Sequence, residues 1–389
     1  MNEVMRIGDI CDILNGYAFK SSKYVTDGIR VIRITNVQKG FVEDTNPQYY
    51  PVSEQREIEK YMLCEGDLLM SLTGNVGRVG LLSAEMLPAA LNQRVACIRI
   101  RNPAVIYKPF LFHLLNSDYF ENKCILASQG VAQKNMSTEW LKEYPIPSFS
   151  MDKQMEIASI FDKIDDLIAH RKDQVRNMDQ AVKSRFIELF GVYPSNPKGW
   201  ETATIRDIVA DVRYGSSRPA VDGGKYPYLR MNNITYGGEL DLTDTKRIDI
   251  PDNELDKCTV RRGDVLFNRT NSKELVGKTC VYNRDEMMVL AGFVIRVRVT
   301  ERVLPEFLSA FLNTDFSKQM LLGMCKAAIG QANINAQEMQ NIGIYLPPTE
   351  LQRQFVQFKE QTDKSKLAVQ KGLQELEILK KSLMQQYFG

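Results

Sequence analysis

The sequence predicts an α+β protein in which two pseudo-symmetric α/β domains are joined by two long antiparallel helices that form a coiled coil. Three observations predict this fold: motifs repeat about 198 residues apart, each copy begins with strand-like sequence, and each copy ends in a long helical segment. Repetition along most of a 389-residue chain indicates duplication of one unit. A chain of this length also exceeds one ordinary hydrophobic core, so two domains are expected.

The repeated motifs keep their order along the chain, and their spacing drifts by about one residue. A shared order across the whole length is not expected by chance, and it indicates two copies of the same structural unit. The first members are Arg33-Ile34-Thr35-Asn36, Gly66-Asp67, Phe110-Leu111, Gln133-Lys134-Asn135 and Phe190-Gly191, and their counterparts are Arg230-Met231-Asn232-Asn233, Gly263-Asp264, Phe307-Leu308, Gln331-Ala332-Asn333 and Phe388-Gly389.

Each copy begins with sequence that is typical of strands. Apolar and polar residues alternate at 30–34, 95–100 and 293–299, which predicts half-buried strands. Gly66-Asp67 and its counterpart are expected to form a turn before a buried strand. A short helix is then predicted in each copy, at about 108–122 and 305–320, because Pro109 and Pro305 suit a first helical turn.

Each copy ends in a predicted long helix. From about Met151 to Phe190 there is no proline or glycine, and apolar residues recur three and four positions apart, with Arg171 and Arg185 interrupting the pattern. A second such helix is predicted from about Glu350 to Phe388. Neither helix can bury its apolar stripe alone, so we expect the two to pair antiparallel. The predicted seam residues are Ile157, Phe161, Ile164, Ile168, Val175, Met178, Val182, Leu189, Phe355, Phe358, Val369, Leu373, Leu376, Leu379 and Leu383.

The domain boundaries follow from these patterns and from the prolines that precede each long helix. The first globular domain is predicted at 1–148 and the first long helix at 149–192. The second globular domain is predicted at 193–346 and the second long helix at 347–389.

Composition excludes several classes of protein. The net charge is +2, the hydrophobic content is 44%, and no apolar run approaches the roughly 18 residues of a membrane span. Seven cysteines are scattered without paired spacing, which predicts reduced thiols and a cytoplasmic location. Near neutrality does not exclude nucleic acid, because a local basic face is what matters there.

The sequence offers no convincing catalytic site. The only histidines, His113 and His170, have no partner motif for a metal or a nucleophile. The glycine-rich stretch 74–80 lacks the order of a nucleotide-binding loop, and Asn46-Pro47-Gln48-Tyr49 only partly matches an adenine methyltransferase motif. We therefore predict no catalytic residue and no metal ligand in this chain.

Polar clusters recur at matching places in the two copies, while their side chains differ. This pattern is expected when a fixed scaffold presents different reading residues. Arginine and lysine can bind guanine or phosphate, and asparagine and glutamine can pair with adenine. The predicted DNA-binding residues are Arg33, Asn36, Ser71, Thr73, Asn75, Arg78, Gln93, Arg94, Gln133, Lys134, Asn135, Arg213, Tyr214, Ser217, Arg218, Arg230, Asn232, Asn233, Asn268, Arg269, Asn271, Lys273, Gln331 and Asn333.

With these motifs in place, the whole chain resembles the specificity subunits of type I restriction–modification systems. The resemblance is carried by the paired Gly-Asp motifs, the paired Gln-x-Asn segments, and the proline-flanked helices that contain Gln154 and Gln352 and end in Phe-Gly. It implies two target recognition domains that each read half of a bipartite double-stranded DNA site. The helices would set the gap between the half-sites and dock modification subunits.

The resemblance also implies that this subunit has no catalytic activity and no cofactor of its own. S-adenosylmethionine, ATP and Mg²⁺ are expected on the partners, which would be modification subunits, expected in two copies, and ATP-dependent restriction subunits. Three alternatives stay open: a specificity subunit whose partner is a fused nuclease–methyltransferase, a stand-alone enzyme, and a coiled-coil scaffold that binds no DNA.

Overall fold

The computed structural model describes residues 5–128, 136–325 and 332–389. The chain divides into two compact units. Unit 1 consists of Met1–Asp173 with Gln370–Gly389, and unit 2 consists of Gln174–Val369. Each unit therefore contains a sheet-rich globular part and one section of each long helix.

Unit 1 is built on three sheets. A five-stranded sheet has the order β2-β9-β6-β7-β4, a three-stranded sheet has the order β5-β3-β8, and β1 pairs with β10. The strands are β1 (Met5–Arg6), β2 (Cys11–Asn15), β3 (Ile29–Ile32), β4 (Gly40–Phe41), β5 (Tyr49–Tyr50), β6 (Leu68–Ser71), β7 (Val79–Leu81), β8 (Ala89–Leu91), β9 (Val95–Ile100) and β10 (Pro145–Ile146). The helices are α1 (Ile7–Ile10), α2 (Gln55–Ile58), α3 (Lys108–Leu115), α4 (Asp118–Ala127), α5 (Thr138–Lys142) and the first part of α6 (Met151–Phe190).

Unit 2 repeats this plan with two four-stranded sheets, in the orders β12-β20-β16-β18 and β14-β13-β19-β15. The strands are β11 (Glu201–Thr204), β12 (Val209–Tyr214), β13 (Tyr226–Leu229), β14 (Lys246–Ile248), β15 (Thr259–Val260), β16 (Val265–Asn268), β17 (Thr270–Asn271), β18 (Thr279–Val281), β19 (Met288–Leu290), β20 (Val294–Val299), β21 (Ala332–Asn333) and β22 (Gly343–Leu346). The helices are α7 (Asp252–Cys258), α8 (Pro305–Leu312), α9 (Asp315–Met324), α10 (Ala336–Gln340) and α11 (Thr349–Phe388).

The central strands of the two units correspond in pairing as well as in sequence. β9 lies between β2 and β6 with antiparallel pairing on both sides, and β20 lies in the same way between β12 and β16. The predicted strand at 95–100 is confirmed, and those at 30–34 and 293–299 are confirmed with shifts of one or two residues. The prediction that these strands are half-buried is wrong for β9 and β20, because the first four residues of each are buried on both faces between two apolar clusters.

The turn predicted before each buried strand is also confirmed. Gly66 and Gly263 have φ angles of 75° and 90°, a conformation that glycine adopts without strain. The Asp67 carboxylate accepts a hydrogen bond from the Cys64 N–H at 2.8 Å, and Asp264 does the same for the Arg261 N–H at 2.9 Å. The repeated Gly-Asp pair thus stabilises the turn that precedes each buried strand.

The single short helix predicted in each copy is wrong, because the structure contains two helices there. α3 ends before Ser117, whose hydroxyl caps α4 by accepting from the Phe120 N–H at 3.1 Å. Thr314 caps α9 in the same way, accepting from the Ser317 N–H at 3.2 Å. A serine or threonine hydroxyl that accepts from the N–H three residues later favours the start of a new helix. The predicted helix is therefore divided in two, although no proline marks the division.

One buried glutamine in each unit ties a long helix to the start of a short one. Gln154 accepts from the Tyr107 N–H at 2.8 Å and donates to the carbonyls of Val105 and Phe149. In unit 2, Gln352 accepts from the Leu304 N–H at 2.8 Å and donates to Arg302 and Pro347 carbonyls. Each amide satisfies three backbone groups that would otherwise be buried without partners.

The two long helices are confirmed nearly to the residue, and they pair antiparallel within each unit. In unit 1, Asp165 pairs with Lys380, and Lys172 lies 3.8 Å from Glu377. In unit 2, the Lys366 ammonium lies 2.7 Å from Asp179 and 2.8 Å from Glu239.

The predicted apolar seam is buried most deeply where the helices meet a globular core. Ile157, Phe161 and Ile164 are buried in unit 1, whereas Ile168 and Val175 are only half-buried. The seam prediction missed Phe186, which is buried and stacks on Phe307 with ring centroids 5.5 Å apart. Arg185, which interrupts the heptad pattern, lies 2.8 Å from Glu188 and over the Phe358 ring at 5.9 Å, so an ion pair and a cation–π contact accommodate its charge.

In the part of the chain that the structure describes, no helix is both long enough and apolar enough to cross a membrane. The seven cysteines are all free thiols.

Candidate nucleic-acid interface

A tight turn between β8 and β9 presents polar side chains in unit 1. Its backbone is held by three hydrogen bonds: Val95 N–H to Asn92 O at 2.9 Å, Gln93 N–H to Tyr17 O at 3.0 Å, and Leu72 N–H to Arg94 O at 3.0 Å. Gln93 and Arg94 are exposed. The turn therefore holds two predicted reading residues on a fixed backbone. We call residues 92–94 the reading turn of unit 1.

The turn between β19 and β20 has the same backbone bonds in unit 2. Val294 N–H donates to Ala291 O at 2.9 Å, Gly292 N–H to Ser216 O at 2.7 Å, and Arg269 N–H to Phe293 O at 3.0 Å. Residues 291–293 are thus the reading turn of unit 2. Phe293 occupies the position of Arg94, and its side chain is 52% exposed.

A second loop meets each reading turn. In unit 1 it follows β6, and Leu72 O accepts from the Met136 N–H at 2.9 Å. In unit 2 it follows β16, and Arg269 O accepts from the Ile334 N–H at 2.9 Å. The end of β3 is also adjacent, because the Asn92 N–H donates to Ile32 O. The structure therefore brings several of the predicted clusters together in each unit.

The best-defined side-chain group lies in unit 2. The Arg269 guanidinium lies 4.8 Å from the Tyr214 ring centroid, and the Ala336 N–H donates to the Tyr214 hydroxyl at 2.9 Å. β17 pairs with β21, which sets Thr270 opposite Asn333. Arg269 is half-buried, its Nε is buried without a partner among the described residues, and its Nη1 donates to the Gly292 carbonyl at 3.4 Å. A guanidinium held in this way can bind a base edge or a phosphate through its remaining donors.

Four predicted residues are buried within their own units. Asn36 accepts from the Arg33 N–H and donates to the Glu43 and Thr45 carbonyls. Asn233 repeats this arrangement with the Arg230 N–H and the Asp241 and Asp244 carbonyls. The other two buried residues are Ser71 and Asn268.

Five predicted arginines are held by neighbours within their own unit. Arg33 donates to Asn46 O and Arg230 to Asp244. Arg78 donates to the Gln38 side chain at 2.8 Å, and Arg213 to Asp211 at 2.9 Å. Arg218 donates through two nitrogens to Glu254, and this pairing raises the Arg218 pKa. To bind one of these guanidinium groups, DNA would have to displace its present hydrogen-bond partner.

The remaining predicted residues face solvent fully or in part. Those that are exposed or half-buried, besides Gln93, Arg94 and Arg269, are Thr73, Asn75, Tyr214, Ser217, Asn232, Asn271, Lys273 and Asn333. Gln133, Lys134, Asn135 and Gln331 lie outside the described residues.

The predicted residues do not include Phe293, whose carbonyl accepts from the Arg269 N–H in the unit 2 group. The signal was available in the alignment of the repeats, since Phe293 aligns with Arg94 just before the strands β20 and β9. A search restricted to polar residues could not find it.

The structure gives structural roles to the residues that could have suggested catalysis. Residues 74–80 span the loop between the antiparallel strands β6 and β7 and the start of β7. His113 is buried, and its Nε2 lies 2.8 Å from Asp162; burial lowers the His113 pKa despite this carboxylate. Across residues 5–128, 136–325 and 332–389, no cluster of three or more histidine, cysteine or acidic side chains could hold a metal ion.

Comparison with known proteins agrees with this geometry. The specificity subunit of the type I restriction enzyme EcoKI from Escherichia coli K12 is 23% identical over 379 residues, which is 91% of this chain and 80% of that protein. The StySPI specificity subunit from Salmonella potsdam is 21% identical over the same shares of both chains.

Two solved structures share the fold. A type I S subunit from M. genitalium matches with a TM-score of 0.55 and 14% identity, covering 99% of this chain and 96% of that one. A chain from work on complex assembly and conformational transition of the type I R-M system matches with a TM-score of 0.62 and 17% identity, covering 99% and 97%.

The family model described as the type I restriction modification DNA specificity domain matches residues 1–177 and again 197–378, so both repeats carry it. Two copies of a DNA specificity domain agree with two units that present different side chains from one backbone. The chain therefore belongs to the family of type I restriction–modification specificity subunits, which recognise DNA and are not catalytic.

Proposed function

We propose that this chain confers DNA sequence specificity on a type I restriction–modification complex, and that each unit reads one half of a bipartite site. One observation carries the proposal: the two reading turns share their backbone hydrogen bonds but present different side chains, Gln93 and Arg94 in one unit and Gly292 and Phe293 in the other. Fixed backbone with variable side chains is what two readers of different sequences require.

The remaining solvent-facing predicted residues are proposed to form the rest of the reading surface. Arg269, Asn271 and Asn333 surround the unit 2 turn, and Asn75 lies on the corresponding loop of unit 1. Arginine and asparagine provide the bidentate donors and acceptors that distinguish bases in the major groove. The buried Asn36, Ser71, Asn233 and Asn268 would instead support these loops from below.

Partners are proposed to supply the chemistry. Modification subunits, expected as two copies, would bring S-adenosylmethionine and transfer methyl groups, and restriction subunits would bring ATP and Mg²⁺. Partners would also help to neutralise DNA phosphates, because this chain has a net charge of only +2. Such a complex would work in the cytoplasm. A partner that fuses nuclease and methyltransferase is not favoured, because the curated relatives are subunits of type I enzymes.

Methylome sequencing of a host that expresses this chain with its modification subunit tests the proposal. The expected result is methylation at one bipartite motif. Replacing residues 1–148, the predicted first recognition domain, by the matching part of a relative should change one half-site and keep the other. A matched exchange of 193–346 should alter the opposite half. If either exchange changes both halves, the two units do not read separately.

The long helices are proposed to set the gap between the half-sites, since α6 continues from unit 1 into unit 2. Inserting four residues after Gln180 lengthens a helix by roughly 6 Å. One base-pair step is about 3.4 Å, so the gap should grow by one or two base pairs. The same insertion in an exposed loop, after Gly223, is the control. An active complex with an unchanged gap would show that the helix does not set it.

A further inference from the structure

We infer that position 94 of unit 1 and position 293 of unit 2 each select one base of a half-site, with Arg94 selecting guanine and Phe293 contacting the methyl group of thymine. This inference rests on the proposed function and identifies residues and bases within it. Phe293 is apolar, and a search for polar DNA-binding residues passes over it.

The first argument is that the two side chains leave the same backbone position. The Arg94 carbonyl accepts a hydrogen bond from the Leu72 N–H, and the Phe293 carbonyl accepts one from the Arg269 N–H. Leu72 and Arg269 lie on the loops that follow β6 and β16. In each unit, the residue before Arg94 or Phe293 donates to a carbonyl of an adjacent segment, Tyr17 or Ser216. The backbone is therefore preorganised, so only the side chain differs in what it presents.

The second argument is the exposure of Phe293 together with its position. Phe293 is 52% exposed, whereas the residue that follows it, Val294, is fully buried in the strand. Phe41 and Tyr236 are equally exposed, so exposure alone does not distinguish Phe293. Its position does, because its turn is bonded to Arg269, whose guanidinium lies over the Tyr214 ring.

The third argument is that corresponding positions of the two units carry different side chains. Unit 1 has Leu72 on the loop and Arg94 on the turn, whereas unit 2 has Arg269 on the loop and Phe293 on the turn. Leu72 is buried in the core of unit 1, so Arg94 is the side chain that faces solvent there. Phe293 and the half-buried Arg269, in contrast, lie at the surface of unit 2. The two units thus present different side chains at this corresponding place.

The chemistry of the base edges assigns the targets. In the major groove, arginine donates two hydrogen bonds to guanine O6 and N7, and phenylalanine makes apolar contact with the thymine methyl. The cytosine amino group offers no methyl for such a contact. We therefore expect a guanine in the half-site of unit 1 and a thymine in the half-site of unit 2.

The first test is methylome sequencing of cells that contain the modification subunit and this chain as wild type, Arg94→Ala or Phe293→Ala. Each variant should relax one base in one half-site and leave the other half-site intact. Phe41→Ala and Tyr236→Ala are matched controls, because these aromatic residues are 54% and 57% exposed elsewhere in units 1 and 2. Both controls should keep the wild-type motif.

The second test removes a single methyl group from DNA. The purified complex with the modification subunit is titrated with oligonucleotides in which each thymine of the unit 2 half-site is replaced in turn by deoxyuridine. Burying one methyl group changes affinity about fourfold, so one replacement should weaken wild-type binding about fourfold. The Phe293→Ala complex should bind that oligonucleotide and the parent equally well.

The outcomes separate this inference from the proposed function. A wild-type complex that methylates no bipartite motif overturns the proposed function itself. A wild-type complex that methylates such a motif, while Phe293→Ala keeps every base preference or no deoxyuridine weakens binding, overturns the inference for unit 2 alone. An unrelaxed motif with Arg94→Ala overturns it for unit 1.

Discussion

At one pair of corresponding positions, the two units make different side-chain interactions. In unit 1, the Lys39 ammonium lies 2.7 Å from Asp118 and 2.9 Å from Glu121. In unit 2, Tyr236 and Lys318 occupy the positions of Lys39 and Glu121, and the Lys318 ammonium lies 5.4 Å from the Tyr236 ring centroid. An ion pair in one unit is thus a cation–π contact in the other.

At other corresponding positions, the two units have the same side chain with the same hydrogen bonds. Gln154 and Gln352 make the same three hydrogen bonds, and the Asn36 and Asn233 amides bind corresponding backbone groups. These side chains satisfy buried backbone donors and acceptors, for which few other residues have the right geometry.

The comparison teaches that the units share what their backbone needs and differ in what faces solvent. An unpaired buried peptide group costs about 1–3 kcal/mol, so its partner is held constant. An exposed pair contributes at most about 1 kcal/mol, so its chemistry can change. Gln93, Arg94 and Phe293 are exposed, so the fold constrains their side chains little.

The largest effect is expected at the aromatic contacts that end each long helix. Phe190→Ala should destabilise unit 2 by about 3–5 kcal/mol, because this fully buried ring contacts Phe186, Phe307 and Phe355. Phe388→Ala should cost unit 1 somewhat less, because Phe388 contacts two rings, Phe110 and Phe161. Chemical denaturation followed by circular dichroism measures both. A larger loss for Phe388→Ala would contradict this ranking.

The glutamine contacts should show equal effects in the two units. Gln154→Ala and Gln352→Ala each leave three backbone groups without a partner and should cost about 2–4 kcal/mol. Hydrogen exchange should report faster exchange of the Tyr107 and Leu304 amides. Gln361→Ala, at an exposed position of α11, is the control and should have little effect. If the two glutamine variants lose clearly different amounts of unfolding free energy, these corresponding contacts do not stabilise the two units equally.

Lys318 gives a difference between the units that depends on pH. Burial, with help from Lys278 and Lys183, lowers the Lys318 pKa from 10.5 to about 8. The folded protein thus binds this proton more weakly than the unfolded chain, and the cost is complete below pH 8 and disappears above about 10.5. Lys318→Met should stabilise the protein by roughly 1–2 kcal/mol at pH 7. This advantage should shrink as pH rises from 8 to 10.

The measurement is the free energy of unfolding of Lys318→Met relative to wild type at several pH values. Lys257→Met, at an exposed position of α7, serves as the control. An advantage of Lys318→Met that stays constant from pH 7 to 10 would mean that this ammonium is not desolvated.

The smallest effect is expected at the corresponding ion pair of unit 1. Lys39→Met should cost at most about 1 kcal/mol, since the Lys39 side chain is 43% exposed. The cost should fall further in high salt, because screening weakens exposed pairs. Unfolding at low and high ionic strength measures this. A cost of several kcal/mol that does not depend on salt would contradict the view that Lys39 forms an exposed ion pair, unlike the half-buried Lys318.

The sequence by itself determined the features that depend on local patterns. Duplication was visible in the motifs, and the long helices were visible in their heptads, because periodic burial leaves a periodic sequence. The strands β9 and β20 were also predicted, although the first four residues of each are buried on both faces. The Gly-Asp turns were also predictable, since left-handed backbone favours glycine. The resemblance of the motifs to a family extended this to a function.

Only the tertiary structure decided which polar residues support the backbone and which face solvent. Asn36 and Asn232 look alike in sequence, yet the first is buried against Glu43 and Thr45 carbonyls and the second is exposed. The alignment of the repeats pairs Phe293 with Arg94, but only the structure shows that their turns have the same backbone hydrogen bonds. The reason is physical: the partner of a buried peptide group lies far away in the chain, so its role follows from the packed backbone and leaves no local pattern.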